Sequence, residues 1–266
     1  MFRLYDARAR QLEGIIPGPG RLLRLYAHAP AHAGDLRTLL LADLIRRNAE
    51  HRHDAQVLGC LVVAGPGAAD GALGRDATAL NLRPAEQTVA ASEWSGPAGG
   101  VIAPGEVLID AGREAGWHSV RAGQVTFGGP GLAGGAVRLT DLPDRGLDPL
   151  ALRLAFLARR YAGQADLTWD AISEADHALR RWRELVAGWA ESPSRPMDPA
   201  AAAQVAAAFD DDLDTPGALQ ALDRLAQDPQ IPPGSKLETF LHADQLLALD
   251  LPRDIGRVPA RNNSSS

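Results

Sequence analysis

The chain has 266 residues, 45% of them hydrophobic, enough for one large core or two smaller ones. A net charge of −6 and a pI near 5.6 argue against a broad basic surface for nucleic acid. The single cysteine, Cys60, excludes an intrachain disulfide and a thiolate metal cluster, and no apolar run reaches the ~18 residues of a membrane-spanning helix.

Residues 2–14 read as a short strand or ribbon, closed by the turn cluster Ile15-Ile16-Pro17-Gly18-Pro19-Gly20. The N-terminus lacks an apolar stretch ahead of a small-residue cleavage site, so a cytoplasmic protein is expected. Leu22–Tyr26 reads as a strand. Asp35 then suits the N-cap of a helix to about Glu50, with Leu36, Leu39, Leu40, Leu44 and Ile45 on one side. Val57–Val63 is a continuous apolar run, as in a strand buried on both faces of a parallel sheet. Strand, helix and strand at this spacing form one βαβ unit with a right-handed crossover.

Gly65–Gly74 is expected to be a loop and Arg75–Leu82 a short helix. Residues 93–135 are glycine-rich, with β-like pieces at 101–102, 106–109 and 120–127. From Asp148 the pattern turns helical. Pro149–Tyr161 is one helix. Thr168 caps a long one to about Glu191, with the stripe Trp169, Ile172, Leu179, Trp182, Val186 and Trp189. Asp198-Pro199 and Thr215-Pro216 open two more with proline in the first turn, and Ser235 with Glu238 reads as a capping box opening a fifth. Residues 253–266 are polar and read as a disordered tail. The expected architecture is α/β: a reduced Rossmann-like, parallel-sheet nucleotide-binding domain over 1–146, followed by a C-terminal α-helical bundle over 147–252.

Chemistry concentrates at the first strand-to-helix turn, which carries His28, Pro30, His32, Gly34 and Asp35. Two histidines, a glycine allowing close backbone approach and a helix N-terminus suit phosphate contacts; an ordinary capped turn has the same residue types. His51, His53 and Cys60 could form a metal site, but a His-x-His at a helix end is equally accounted for by the helix dipole. His177 and His242 read as surface or packing residues. Asp210–Asp214, four aspartates interrupted by Leu213, offers closely spaced acidic acceptors, and Thr215-Pro216 marks the run as a helix start rather than a metal geometry.

These segments together resemble the cysteinyl group of class I aminoacyl-tRNA synthetases, including the cysteine ligase of the mycothiol pathway. Tyr26, Pro30, His32, Gly34, Arg37, Thr38, Asp43, Arg46 and Arg47 match the family's first nucleotide-binding element, with a gap of about four residues after Pro30. Val120-Arg121-Ala122-Gly123-Gln124-Val125 followed by Gly131–Gly135 resembles the "V-H-A-G" strand and the "KMSKS" loop. Leu147-Asp148-Pro149, Leu167-Thr168-Trp169 and Asp210–Pro216 resemble the stem-contact helices and the "DDLDTP" motif. The resemblance spans roughly residues 2–90 and 117–251.

The resemblance implies ATP-dependent activation of cysteine, selection of the thiol by zinc, and transfer to a tRNA or a glucosaminyl-inositol. The chain departs from it at four points. His28 stands where the family has a zinc-binding cysteine, and Asp35 replaces the second histidine of "HIGH". The run Gly131–Gly135, without lysine, replaces the lysine-bearing signature loop, and the inserted segment expected after residue 90, with its further zinc ligands, has no match. A carboxylate at Asp35 beside ATP phosphates would cost about 1–4 kcal/mol, while the same side chain is a good N-cap.

The expectation is therefore a degenerate paralogue that retains the fold and a nucleotide or adenylate-like pocket at His28, His32, Gly34 and Asp35, with Gly131 and Gly134 as backbone phosphate donors. ATP is its expected cofactor. Zinc and tRNA are not expected; a small-molecule or nucleotide ligand and a protein partner are compatible with it. An active ATP-dependent ligase of altered substrate is the first alternative, and a non-catalytic binding or partner subunit the second.

Overall fold

The computed structural model describes residues 1–18, 21–29, 36–63, 71–96, 102–103, 105–112, 117–128 and 139–257. The chain opens with an antiparallel hairpin, β1 (Arg3–Asp6) and β2 (Gln11–Gly14), with Tyr5 opposite Leu12. Then follow β3 (Leu23–Ala29), α1 (Leu36–His53), β4 (Val57–Val63), α2 (Gly71–Ala79) and β5 (Gln87–Ala90). Next come β6 (Glu106–Asp110), β7 (His118–Arg121), β8 (Val125–Phe127), the one-turn α3 (Asp141–Asp144), α4 (Pro149–Leu157) and β9 (Ala165–Leu167). The remaining helices are α5 (Trp169–Trp189), α6 (Pro199–Asp210), α7 (Thr215–Gln227) and α8 (Pro233–Leu247), before a 3-10 turn at Leu251–Asp254.

The central sheet has the order β5-β4-β3-β6-β7. Strands β3, β4 and β5 run parallel, as the βαβ pattern requires, with Tyr26 beside Cys60 and His28 beside Val62. β6 returns antiparallel on the other flank of β3, placing Leu108 beside Tyr26, and β7 pairs antiparallel with β6. The expected α/β architecture, a Rossmann-like sheet followed by helices, is present, but the sheet is mixed rather than all parallel, because β6 runs opposite to its neighbours. Alternation along β3 divides its side chains: Leu23, Leu25 and Ala27 join the main core with α1, while Tyr26 packs on the opposite face with Val62, Leu108 and Ile102.

Local boundaries differ from the sequence reading where tertiary contacts decide them. α2 starts at Gly71 and ends at Ala79, taking part of the expected Gly/Ala loop. α4 ends at Leu157, and β9, which pairs in parallel with β8, was not expected. α8 begins at Pro233, with Pro at the first turn fixing φ, so Ser235 lies inside the helix and the capping box does not form. Ser235 instead gives its backbone carbonyl to the Thr239 hydroxyl at 2.7 Å. Of the segment expected to be a disordered tail, Arg253 and Asp254 complete a 3-10 turn that begins at Leu251, and residues 258–266 lie outside the described residues.

The main apolar cluster is continuous across the expected boundary at 146/147, running from Phe2 and Leu4 through α1 to Trp182, Phe209, Phe240 and Leu251. In its helical part the rings of Trp182 and Trp189 meet Phe240 edge-on, 5.5 and 5.1 Å between centroids. No helix among the described residues is long and apolar enough to cross a membrane.

Candidate functional site

In an open α/β sheet, ligands collect outside the carboxyl ends of the parallel strands, where the strand order reverses. Here the chain steps from β3 to β4 to β5 in one direction and then crosses to β6 on the far side of β3. The reversal therefore lies at the carboxyl end of β3, and His28 is the penultimate residue of that strand, 8% exposed. By alternation His28 shares the face of Tyr26, away from α1. His32, Gly34, Asp35, Gly131 and Gly134, the other candidate nucleotide contacts, lie outside the described residues.

Aromatic side chains cover this face. The Tyr26 ring is 4.9 Å from Trp117 and 6.0 Å from Trp94, both tilted. Burial, and then neighbouring Cys60, push the Tyr26 phenol above its usual range. Burial also raises the Cys60 thiol, which makes it a poor nucleophile at neutral pH. At the opposite end of β3, Arg24 lies 3.6 Å from Asp110 of β6. Trp94 and Trp117 come from separate segments without regular periodicity; the pairing of β5 with β4 places Trp94, and the pairing of β7 with β6 places Trp117, against Tyr26. The partial signal available beforehand was Trp117-His118 at the start of a β-like piece.

The remaining motif residues of the first element build the frame. Asp43 of α1, 4% exposed, accepts from Arg153 Nη2 at 2.7 Å, Arg47 Nε at 2.9 Å and the Arg83 backbone N–H at 3.1 Å. Burial by itself would raise its pKa, but the two guanidinium groups hold it below the usual carboxylate range. Arg153, fully buried on α4, also donates to the carbonyls of Leu247 at 2.6 Å and Leu80 at 2.8 Å. Arg46 pairs with Glu50 at 2.9 Å and Glu86 at 2.6 Å. Arg37 donates to the carbonyls of Gly123, Gly163 and Arg160 at 3.0, 2.5 and 2.7 Å. Burial and then Arg159 lower its pKa to about 10, which leaves it charged at neutral pH. Gly123 must be glycine there, since a Cβ would sit 2.0 Å from the Gly163 carbonyl oxygen.

The acidic run has the same structural character. Asp210 lies 2.7 Å from His53 Nε2 and accepts from Asn48 at 3.3 Å. Burial works to raise its carboxyl, and His53, Asn48 and Arg52 together hold it low. Asp211 pairs with Arg3 at 2.9 Å, and Asp212 accepts from the Tyr161 hydroxyl at 2.6 Å and the Tyr5 backbone at 2.8 Å. Asp214 caps α7 through the Gly217 N–H. The run thus ties the hairpin and α1 to the helical part. His51 turns to Arg83, and no group of three His, Cys, Asp or Glu side chains among the described residues is placed to hold a metal ion. Lys236, the chain's one lysine, is 7% exposed in α8 and donates to the Ala226 carbonyl at 2.9 Å.

The arrangement defines a Rossmann-like α/β sheet whose switch point carries a histidine and a tyrosine–tryptophan cluster, braced against helices by buried arginine–carboxylate contacts. No family model matches the chain. Among curated proteins it is similar to the L-cysteine:1D-myo-inositol 2-amino-2-deoxy-alpha-D-glucopyranoside ligase of Streptomyces griseus subsp. griseus, 41% identical over 113 residues, 40% of this chain and 26% of that protein. It is also similar to the ligase of the same name from Gordonia bronchialis, 36% identical over 136 residues, 50% of this chain and 32% of that protein. A third relative is cysteine–tRNA ligase 1 of Burkholderia lata, 35% identical over 119 residues, 45% of this chain and 25% of that protein. The matches thus span between a quarter and a third of the length of these relatives. The resemblance read from the motifs and the sequence relatives point to the same group, the cysteine ligases and cysteine–tRNA ligases.

Proposed function

We propose that this chain is a paralogue of the cysteine ligases that binds a nucleotide or an aminoacyl-adenylate-like ligand at the carboxyl end of β3 and does not carry out efficient adenylation. The observation that carries this reading is the state of Lys236. Formation of an adenylate leaves charge on pyrophosphate, and phosphoryl chemistry depends on positioned cations to stabilise it. The one lysine of the sequence is committed to a backbone carbonyl between two helices. Arginines that match the family's first motif, Arg37, Arg46 and Arg47, are likewise committed to carbonyls and carboxylates of the frame.

The switch-point geometry supports retention of a pocket. Tyr26, Trp94 and Trp117 offer ring faces for an adenine or another planar group, beside His28. A zinc-selected thiol has little support: His28 stands in place of the thiolate, and a substrate other than cysteine needs no thiophilic ion. The relatives' own names as ligases are what favour the alternative, an active ATP-dependent ligase of altered substrate.

Amino-acid-dependent ATP–pyrophosphate exchange, run over all twenty amino acids, separates the two. The expected result is exchange at background, together with measurable affinity for ATP, AMP or a non-hydrolysable aminoacyl-adenylate in calorimetry. Robust exchange with any amino acid overturns the loss of adenylation, and absence of binding to all three ligands overturns the pocket.

A further inference from the structure

A second recess lies on the other face of the sheet, between β4, α1 and α2. It has a volume of about 300 Å³. Its walls are Leu25 of β3, Leu39 and Ala42 of α1, Leu61 of β4, and Leu73 and Ala77 of α2. This is the layer where helices cover a parallel sheet, and such layers normally close over branched aliphatic side chains. Here small residues stand at Ala42, Gly59 and Ala77, and Leu39, Leu61 and Leu73 remain only half-buried. The space is about twice the ~150 Å³ of an apolar cavity known to take up benzene.

The charges at its mouth define what it would accept. Asp43 is matched by Arg153 and Arg47, Arg46 by Glu50 and Glu86, and Arg83 by Glu50. Among the described residues a charged ligand would meet no unmatched partner, and it would lose its hydration on entering. A neutral apolar ligand loses nothing comparable and covers half-exposed leucine surface.

We propose that this recess is a binding site for a small, neutral, apolar molecule of the size of two fused rings or a medium-length acyl group. The site is separate from the carboxyl end of β3, because Tyr26 and His28 face the opposite side of the sheet, and it does not depend on the nucleotide reading.

The test uses 2-naphthol as the neutral probe, with 2-naphthoate and 2-naphthylmethylammonium as charged analogues, on the full chain carrying labelled Leu and Ala methyl groups. Saturable shifts at the Leu39, Leu61, Leu73 and Ala77 methyls are expected with 2-naphthol, and binding at least tenfold weaker with either charged analogue. Ala77→Phe, which fills the recess from α2, should abolish the shifts at the other three residues and raise the melting temperature. Ala42→Leu fills it from α1 and serves if the first variant does not fold. The proposal is overturned if 2-naphthol produces no saturable shift at these methyls. It is equally overturned if the charged analogues bind as well, or if binding is unchanged in a folded filling variant.

Discussion

Replacing Arg153 by methionine tests whether the buried arginine–carboxylate contacts join the sheet to the helices. Methionine keeps much of the apolar stem and removes the guanidinium, so the loss reports the polar contacts. Asp43, 4% exposed, would lose a partner at 2.7 Å, and the carbonyls of Leu247 and Leu80 would lose donors at 2.6 and 2.8 Å. Removing one partner of a buried ion pair costs about 3–5 kcal/mol, and each stranded carbonyl about 1–3 kcal/mol if nothing replaces its donor. Arg47 still serves Asp43, so a net loss of about 4 kcal/mol is expected, a large part of the ~5–15 kcal/mol of a typical domain. Urea unfolding followed by tryptophan fluorescence and far-ultraviolet dichroism should show it as a shifted midpoint at unchanged slope.

The pH dependence adds a signature that a packing defect lacks. In the native chain Asp43 is held below the usual carboxylate range, so its contribution is fully present above the unfolded value near ~3.9 and is lost as pH falls through the lower folded value. In Arg153→Met, burial prevails and the Asp43 pKa rises, so the penalty should be greatest near neutrality and shrink as pH falls toward 4. Adding Asp43→Leu should recover part of the loss by removing the stranded charge. A loss below about 1 kcal/mol, or one independent of pH between about 4 and 7, would refute the assignment of Arg153 as the brace.

Gly123→Ala should destabilise by about 2–3 kcal/mol, read as a fall in melting temperature, because its Cβ would meet the Gly163 carbonyl at 2.0 Å; a change within 0.5 kcal/mol of zero would show that the loop can yield. Tyr161→Phe should cost about 1 kcal/mol in urea unfolding. In the native chain burial, followed by Asp212, pushes the Tyr161 phenol far above its usual value, so its tyrosinate absorbance should appear only as the fold opens; absorbance from Tyr161 while the fold is intact would contradict that. Asp214→Ala should remove the α7 cap at about 1 kcal/mol, visible as a lower melting temperature, and an unchanged value would deny the cap its role. For the nucleotide reading, His32→Ala should weaken ATP binding in calorimetry and Asp35→Asn should strengthen it by removing a like charge. Unchanged affinity in Asp35→Asn would mean that the phosphates sit elsewhere.

Regular elements with strong local signals were legible beforehand. The apolar run Val57–Val63 is a central parallel strand, and the Trp/Leu stripe of α5 buries Ile172, Leu179, Trp182 and Val186. Proline in the first turn marked α4, α6 and α7 correctly, because a fixed φ and a missing N–H cost nothing there. In the glycine-rich stretch from 93 to 135 the β-like pieces at 106–109 and 120–127 fall on β6, β7 and β8, but how they pair was not legible. β6 and β7 form there because β3 offers an open edge on its far side, a reason that no local window contains.

Sequence alone carried the likeness to the cysteine ligases and cysteine–tRNA ligases, through residue types at fixed spacing in Tyr26–Arg47, Val120–Val125 and Asp210–Pro216. It also fixed a single lysine, Lys236, outside those segments. What each motif residue does was decided by tertiary structure. Besides any local partners, Asp43, Arg37, Gly123 and Asp210–Asp212 face partners 40 to more than 200 positions away, and their roles depend on burial and on which group lies opposite. A motif preserves a residue type, but only the folded chain sets the dielectric and the partner that turn it into a ligand contact or a brace.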